Sequence, residues 1–560
     1  MVEEQNLDKG LLYLKSQLVN HQFSNIKDKG EKFGISVQCE LDDIKYCILL
    51  LNDIYELPLV LIESKVGIYP HISFSKEKFL GSEWKSLCLN IENQYIIYQL
   101  TINEKIDITI SKLLELINLS DLKVKLEFEK EFAFYWRKSC QTRYESYLGE
   151  SENENKITLL IPNTNSKDST VKIFGKKYYR RDYKEYRNET GYFLKILNFS
   201  DIYPPCYKPW NVQKVNSIFS SLKYTRFDSQ TYKFLKKLYV KGKATIIFQL
   251  PLSDNLLIAI KLQFTDTKKE KFLEKIINTD YEMEFIAVDK MNIEHSILRN
   301  GEELLNLNNI VMIGCGSLGS YVYREMLNTN VKKFTLVDGD DFRSENLSRH
   351  ILSEYHININ KAQGLQIYSC LDKSVDITAI KEYLTHSNIS NVLDCQDSVT
   401  NLAVVTVGNE DVQHMINNYI YSAYDKFIPT LFCWLEANGV GVHVLAIVNT
   451  EKGCYNCVQE YKRTEDKFIY IRNKEVPIFN NGCGGTFTHY GSNVLLEATS
   501  LILKVVKEFS SGIIRENKIY SLKVIEDSEI AKADYYINQK NKLMTCDDIY
   551  FEGCKYCGEI

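Results

Sequence analysis

The sequence predicts an α/β protein of several domains: a nucleotide-binding α/β domain over 290–560, an α+β domain over 1–145 and an intermediate domain over 146–289. Three observations carry this expectation. The stretch from Asn308 to Arg349 reads as strand, tight turn, helix and strand, with Gly314, Gly316 and Gly319 in the turn and Asp338 where the second strand ends. Toward the N-terminus, short apolar runs alternate with polar turns such as LDD and ND, the pattern of an antiparallel meander. Two Cys-x₂-Cys pairs, Cys454/Cys457 and Cys554/Cys557, supply a complete tetrahedral thiolate set for zinc. A chain of 560 residues is also too long for one core.

Composition narrows the function. With 44% hydrophobic and 25% charged residues and a net charge of -5, the chain is globular and has no polycation for gripping nucleic acid. No apolar run approaches the roughly twenty residues of a membrane span, and MVEEQNLDKG has acids where a secretory signal carries bases. A cytoplasmic protein is expected. Fifteen cysteines are then ligands or nucleophiles where clustered and core residues where scattered, not a disulfide scaffold.

In chain order, residues 9–28 read as an opening helix from the stripe Leu11, Leu14, Leu18. FGISVQCE, YCILLLN and LPLVLIE follow as the meander, and residues 106–119 as a helix. Cys88, between Leu87 and Leu89 and downstream of His71, reads from chemistry alone as a small buried hydrophobe, a reactive thiol being the lesser reading. Phe128, Phe132, Tyr135 and Trp136 suggest core packing. ITLLIP, TVKIFG, ATIIFQL, NLLIAIKLQF and MEFIAVDK read as strands of the intermediate domain, whose role is either to hold substrate or to join the two ends.

The C-terminal half carries the chemistry. The glycine turn alone leaves NAD, FAD and ATP open. Asn346, Arg349 and Lys361 follow it, and ISNVLDCQDS reads as a third strand ending at Asp394 and Asp397, with a helix over VVTVG or QHMINNYIY beyond. Arginine and lysine hold polyphosphate charge and an aspartate holds Mg²⁺, a set richer than hydride transfer needs and suited to ATP cleavage. The zinc set has no open position, so that metal is structural. Cys483, in NNGCGGTFTHYG before a helix over 492–508, sits in a glycine-rich loop where an exposed thiolate is expected. An ATP site plus an exposed thiol suggests two steps: a carboxylate attacks Mg-ATP to give an acyl adenylate, and a thiolate displaces AMP to give a thioester.

GCGSLG, LVDGDDFRSENLSRH, Lys361, LDCQDS, CYNC, CKYC and GCGGTFTHYG together resemble the E1-like ThiF/MoeB adenylating family over about 290–560. That resemblance implies a Rossmann-like fold, Asp338 at the ATP ribose, Asn346, Arg349 and Lys361 around the phosphates, Asp397 at Mg²⁺ and Cys483 as the catalytic cysteine. It also implies a homodimer in which Arg299 reaches the partner's ATP site. YPHISF, the Gly81 loop and SLCLNI resemble a ubiquitin-conjugating E2 fold around Cys88, which makes Cys88 a second thiol carrier. The whole layout is similar to the E1–E2 fusion conjugases of CBASS antiphage operons. Their implied substrate is the C-terminal carboxylate of a cGAS/DncV-like nucleotidyltransferase and their acceptor a target amine on a protein or small molecule, without nucleic-acid or membrane binding. Adenylation of a small sulfur carrier for cofactor synthesis and an inactive scaffold are the alternatives.

Overall fold

The computed structural model describes residues 2–31, 34–51, 57–63, 70–73, 77–79, 82–89, 99–149, 156–163, 170–175, 185–196, 203–205, 210–211, 214–215, 218, 243–252, 255–264, 281–369, 375–393, 401–422, 427–471, 479–480, 486–487, 490–525 and 532–558. It forms two compact units, Met1–Met291 and Asn292–Ile560.

The first unit opens with a helix over Val2–Asn20, which buries Leu14 and Leu18 one turn apart. It begins before the expected residue 9 and stops at Asn20, short of the expected 28. The chain reverses at Gln22, in the left-handed region at φ 66°, and Ser24–Glu31 is recruited as a strand against Gly34–Leu41. Strands β1 (Ser24–Glu31), β2 (Gly34–Leu41), β3 (Ile44–Leu51), β4 (Leu59–Glu63), β5 (Glu77–Phe79) and β6 (Ser82–Leu87) form an antiparallel sheet in the order β1-β2-β3-β4-β6-β5. The expected meander is β2–β3–β4. Its inward residues follow period two, with Tyr46, Ile48 and Leu50 of β3 buried. They meet Ile106, Ile110 and Leu113, one face of a helix over Ile102–Ile117 that starts at a Thr101–Glu104 capping box. Each such side chain contributes about 1.5–3 kcal/mol. Two shorter helices, Asp121–Lys130 and Phe132–Ser139, then bury Phe128, Phe132, Tyr135 and Trp136, as core packing requires.

Seven further strands close into a barrel: β7 (Thr142–Ser146), β8 (Lys156–Pro162), β9 (Val171–Gly175), β10 (Tyr186–Lys195), β11 (Lys243–Gln249), β12 (Leu257–Phe264) and β13 (Tyr281–Lys290). The five apolar runs expected as strands all lie here, β10 having been hidden in a charged, tyrosine-rich stretch. Closure depends on the parallel pairs β10/β11, β13/β7 and β7/β9, which join segments far apart in sequence.

The second unit is built on β14 (Asn309–Ile313), β15 (Lys333–Val337), β16 (Asp376–Ile380), β17 (Leu402–Val405), β18 (Thr430–Leu435) and β19 (Gly441–Ile447). A small hairpin, β20 (Phe479–Asn480) and β21 (Thr486–Phe487), stands apart, and β22 (Lys518–Lys523) and β23 (Leu543–Cys546) complete the main sheet, ordered β16-β15-β14-β17-β18-β19-β22-β23. From β16 to β18 the pairs are parallel, and the outer three pairs antiparallel. All five residues of β14 are buried, as a strand covered on both faces must be. The strand order reverses about β14, so its carboxyl end and that of β17 border the crevice where such sheets take ligands.

Two expectations fail here. ISNVL is a short helix, Ile389–Leu393, because Ile389, Val392 and Leu393 share one buried face at helical spacing. The next parallel strand is instead Leu402–Val405, which takes in the first two residues of VVTVG, while QHMINNYIY belongs to a helix over Glu410–Ser422. Among the described residues no helix is long and apolar enough to cross a membrane.

Candidate functional site

β14 delivers the chain into Gly314, which turns at φ +96°, a conformation that a side chain would strain. The helix over Ser317–Met326 begins at once. A Cβ on Gly319 would stand 2.1 Å from the Gly314 carbonyl oxygen, so this glycine sets how closely helix and turn pack. No atom lies within 4 Å of a Cβ built on Gly316, which leaves that backbone open to a ligand. From below, the Thr406 hydroxyl donates to the Gly314 carbonyl at 2.7 Å.

Asp338, just past β15, receives the Cys315 amide at 2.7 Å on one carboxylate oxygen and the Asp340 amide at 2.8 Å on the other. Each oxygen keeps a second acceptor site for a ligand hydroxyl. Burial raises the carboxyl's pKa, against the opposing pull of Lys361 and the two amides. Gly314, Gly316, Asp338 and Lys361 line one cavity of about 220 Å³, together with Asp340, Tyr383 and Thr406.

Sequence reasoning passed over Asp340. It accepts from Lys361 Nζ at 2.9 Å and from the Tyr383 hydroxyl at 2.6 Å. Burial opposes its ionisation, but these two donors outweigh it and hold the pKa below the ordinary carboxylate value. Asn360 adds hydrogen bonds to the carbonyls of Asp338 and Asp340 at 2.9 and 3.1 Å, so Lys361 enters the cavity from the well-held start of a helix over Lys361–Ser369. The run of acids in LVDGDD was the available signal, but not which acid Lys361 would pair with.

Asn346 and Arg349 lie on the 3₁₀ turn Ser344–Arg349. Asn346 Oδ1 accepts the Arg343 amide at 3.1 Å, and the Arg349 guanidinium lies 5.8 Å from the centre of the Tyr490 ring. Neither lines the cavity, nor does Arg299, exposed at the end of a helix over Ile293–Arg299. The turn is tied to the cavity through the next residue. Buried His350 donates from Nε2 to the Cys315 carbonyl at 2.8 Å and accepts the Leu352 amide on Nδ1 at 3.1 Å, an arrangement that only the neutral ring provides. Burial drives its pKa down to about 4. Asp397 and Cys483 lie outside the described residues, as does Asp394.

Cys454, Cys457, Cys554 and Cys557 converge, their sulfurs all within 4.8 Å of one another. Sulfur pairs stand at 3.8, 3.7 and 3.3 Å, against roughly 3.8 Å for thiolates about 2.3 Å from a shared tetrahedral zinc. The Gly453 amide points at Cys557 Sγ from 3.4 Å, and buried Asn517 secures the preceding loop through the carbonyls of Asn449 and Gly453. The donor set and its spacing fit zinc. Among the scattered cysteines, Cys39, Cys47, Cys315 and Cys433 are buried core residues, as expected.

In the first unit Cys88 is exposed rather than buried, just past β6, which overturns the reading from its leucine neighbours. Its amide donates to the His71 carbonyl at 2.8 Å. Buried His71 has Nδ1 2.9 Å from Glu131 Oε1, an ion-pair distance without the alignment of a regular hydrogen bond, and Nε2 3.4 Å from Glu127 Oε2. The Tyr135 hydroxyl accepts the His71 amide at 2.7 Å and donates to Glu131 at 2.5 Å. Burial works against the imidazolium, yet the two glutamates prevail and raise the His71 pKa. Partial cover and then Glu131 raise that of the Cys88 thiol. Cys88, His71, Glu127 and Glu131 line a cavity of about 360 Å³.

Residues 290–534 match the model of the ThiF family, and the second unit has a ThiF/E1-like α/β fold. The chain is also similar to curated proteins each described as an ATP-dependent ubiquitin transferase-like protein Cap2. The one from Pseudomonas aeruginosa is 22% identical over 233 residues, 41% of this chain and 40% of that protein. The one from Escherichia coli is 21% identical over 564 residues, 89% of this chain and 90% of that protein. A third, from Vibrio cholerae, is 25% identical over 34% of this chain and 33% of its own length. The alignment thus spans less than half of two of these relatives and nearly all of the other. Among solved structures, Escherichia coli MccB with succinimide is 16% identical over 48% of this chain and 69% of that one, at a TM-score of 0.33, too low to establish a shared fold. The family match and the three relatives agree with the resemblance that the motifs carry.

Proposed function

We propose that the protein is an ATP-dependent conjugation enzyme carrying two thiol stations. The glycine turn, Asp338 and Lys361 hold ATP, with Asn346 and Arg349 brought to the phosphates and Asp397 holding Mg²⁺. The C-terminal carboxylate of a substrate protein attacks the α-phosphorus, releasing pyrophosphate and leaving an acyl adenylate. Cys483 displaces AMP to form a thioester, Cys88 takes over the acyl group, and an amine receives it. A cGAS/DncV-like nucleotidyltransferase is the substrate, and two copies pair through the E1-like unit so that Arg299 of each serves the other's ATP site. Zinc held by the four clustered cysteines ties the tail to the sheet and takes no part in the reaction, having no open position.

In this reading residues 1–145 are an E2-like domain, residues 146–289 join it to the adenylating part at 290–560, and the protein works in the cytoplasm. The observation that carries it is the exposed thiol of Cys88, opening on a cavity lined by His71 and Glu131, in a chain that also carries a ThiF domain. A sulfur-carrier adenylator would have no use for this thiol.

The test is incubation with ATP, Mg²⁺ and the nucleotidyltransferase, followed by non-reducing electrophoresis. A DTT-sensitive adduct is expected on Cys88 that Cys483→Ala abolishes, and Asp397→Ala should suppress pyrophosphate exchange before either adduct forms. Loading of Cys88 at the wild-type rate in Cys483→Ala would disprove the relay.

A further inference from the structure

Resting on the reading of Cys88 as an acyl carrier, we infer that the cavity beside it is the acceptor site for a protonated primary amine, with Glu131 taking the amine's proton and His71 positioning Glu131. Three observations meet here. The cavity, about 360 Å³, opens at the only exposed cysteine among the described residues. His71 is 7% exposed, lines the cavity and has an Nδ1 without an aligned hydrogen-bond partner. Glu131 sits beside that nitrogen at 2.9 Å, fixed on its other oxygen by Tyr135.

The remaining charges leave this role to Glu131. On the helix over Ile102–Ile117, Lys112 pairs with Glu115 at 2.9 Å. On the next helix Lys130 pairs with Glu127 at 2.8 Å. Those lysines are paired with other carboxylates, whereas among the described residues Glu131 faces a buried imidazole and a phenol. It stays ionised, because His71 and Tyr135 outweigh the burial that would protonate it. An ammonium group entering beside Cys88 therefore meets an anion fixed in place.

The step balances as follows. The ammonium gives one proton to the Glu131 carboxylate, and the freed nitrogen attacks the thioester carbonyl. As the C–N bond forms the C–S bond breaks, leaving the Cys88 thiolate and an N-protonated amide. That amide's proton neutralises the thiolate, and Glu131 returns its own to water. The products are an amide, the Cys88 thiol and one released proton.

The test uses the full chain, loaded at Cys88 with a fluorescent glycyl thioester by thiol exchange and located by peptide mass spectrometry. The loaded protein is then chased with lysine or with hydroxylamine, which is already neutral at the assay pH and needs no base. We expect Glu131→Gln to slow discharge to lysine by about a hundredfold, the low end for a general base because this carboxylate is held ionised and weakly basic. Discharge to hydroxylamine should be spared, and Glu131→Asp should recover part of the lysine rate. Equal slowing with both nucleophiles, or a wild-type lysine rate in Glu131→Gln, overturns the inference. Failure of wild-type Cys88 to take the label would instead overturn the carrier reading beneath it.

Discussion

The amide of Cys315 donates to the carboxylate of Asp338 across 2.7 Å, joining the glycine turn after β14 to the acid after β15. The bond makes the turn's shape depend on the same carboxylate that is proposed to hold the nucleotide. Asp338→Ala would leave the buried amide without an acceptor, a loss of about 1–3 kcal/mol. It should lower the melting temperature and erase the further rise that ATP gives the wild type. A variant that still gained stability from ATP would remove Asp338 from the nucleotide site.

Gly319 makes a sharper steric prediction. With its Cβ 2.1 Å from the Gly314 carbonyl and 2.7 Å from Thr406 Oγ1, Gly319→Ala must push the helix off the turn. A destabilisation of about 1–3 kcal/mol is expected, read from the midpoint of denaturant unfolding. Gly316→Ala, where nothing crowds the new methyl group, should unfold like the wild type yet bind ATP more weakly.

These contrasts show what was legible in the sequence. Gly314, Gly316 and Asp338 line one cavity because they belong to one strand–turn–helix–strand unit, a geometry that is local. Asp340, Tyr383, Thr406 and His350 drew no notice, since each acquires its role only when distant segments meet at the ends of the strands. The same holds for Cys88. Its leucine neighbours favoured burial, and the glutamates that surround His71 come from a helix pair much further along the chain. ISNVL was misread because a short apolar run fits helix and strand alike until packing decides.

The cysteine cluster predicts a metal-dependent fold. About one zinc per chain should be found by elemental analysis, and strong chelation should release it and lower the melting temperature. Cys457→Ser, which removes a buried ligand, should reproduce that loss, while Cys546→Ser, outside the cluster, should not. A metal-free protein of unchanged stability would exclude a structural zinc.

His350 gives the fold a specific weakness to acid. Its ring bridges the Cys315 carbonyl and the Leu352 amide only while neutral, and burial, helped by Lys361 and His356, outweighs the Cys315 carbonyl that favours the charged ring, leaving the pKa at about 4. An unfolded histidine titrates near 6.5. Between those values the unfolded chain binds the proton and the folded chain does not, so this group's contribution is complete above about pH 6.5 and declines as the pH falls toward 4. The difference amounts to about 3 kcal/mol at most. His350→Gln, whose amide can donate to Cys315 and accept from Leu352 without titrating, should flatten the stability profile between pH 6.5 and 4. Because the ring holds the glycine turn against the segment that carries Asn346 and Arg349, the wild type should also lose ATP binding across that interval faster than the variant does. Melting temperatures of both proteins, with and without ATP, read the two effects separately. Parallel profiles for wild type and variant would mean that the imidazole stays neutral, or charges, equally in both states.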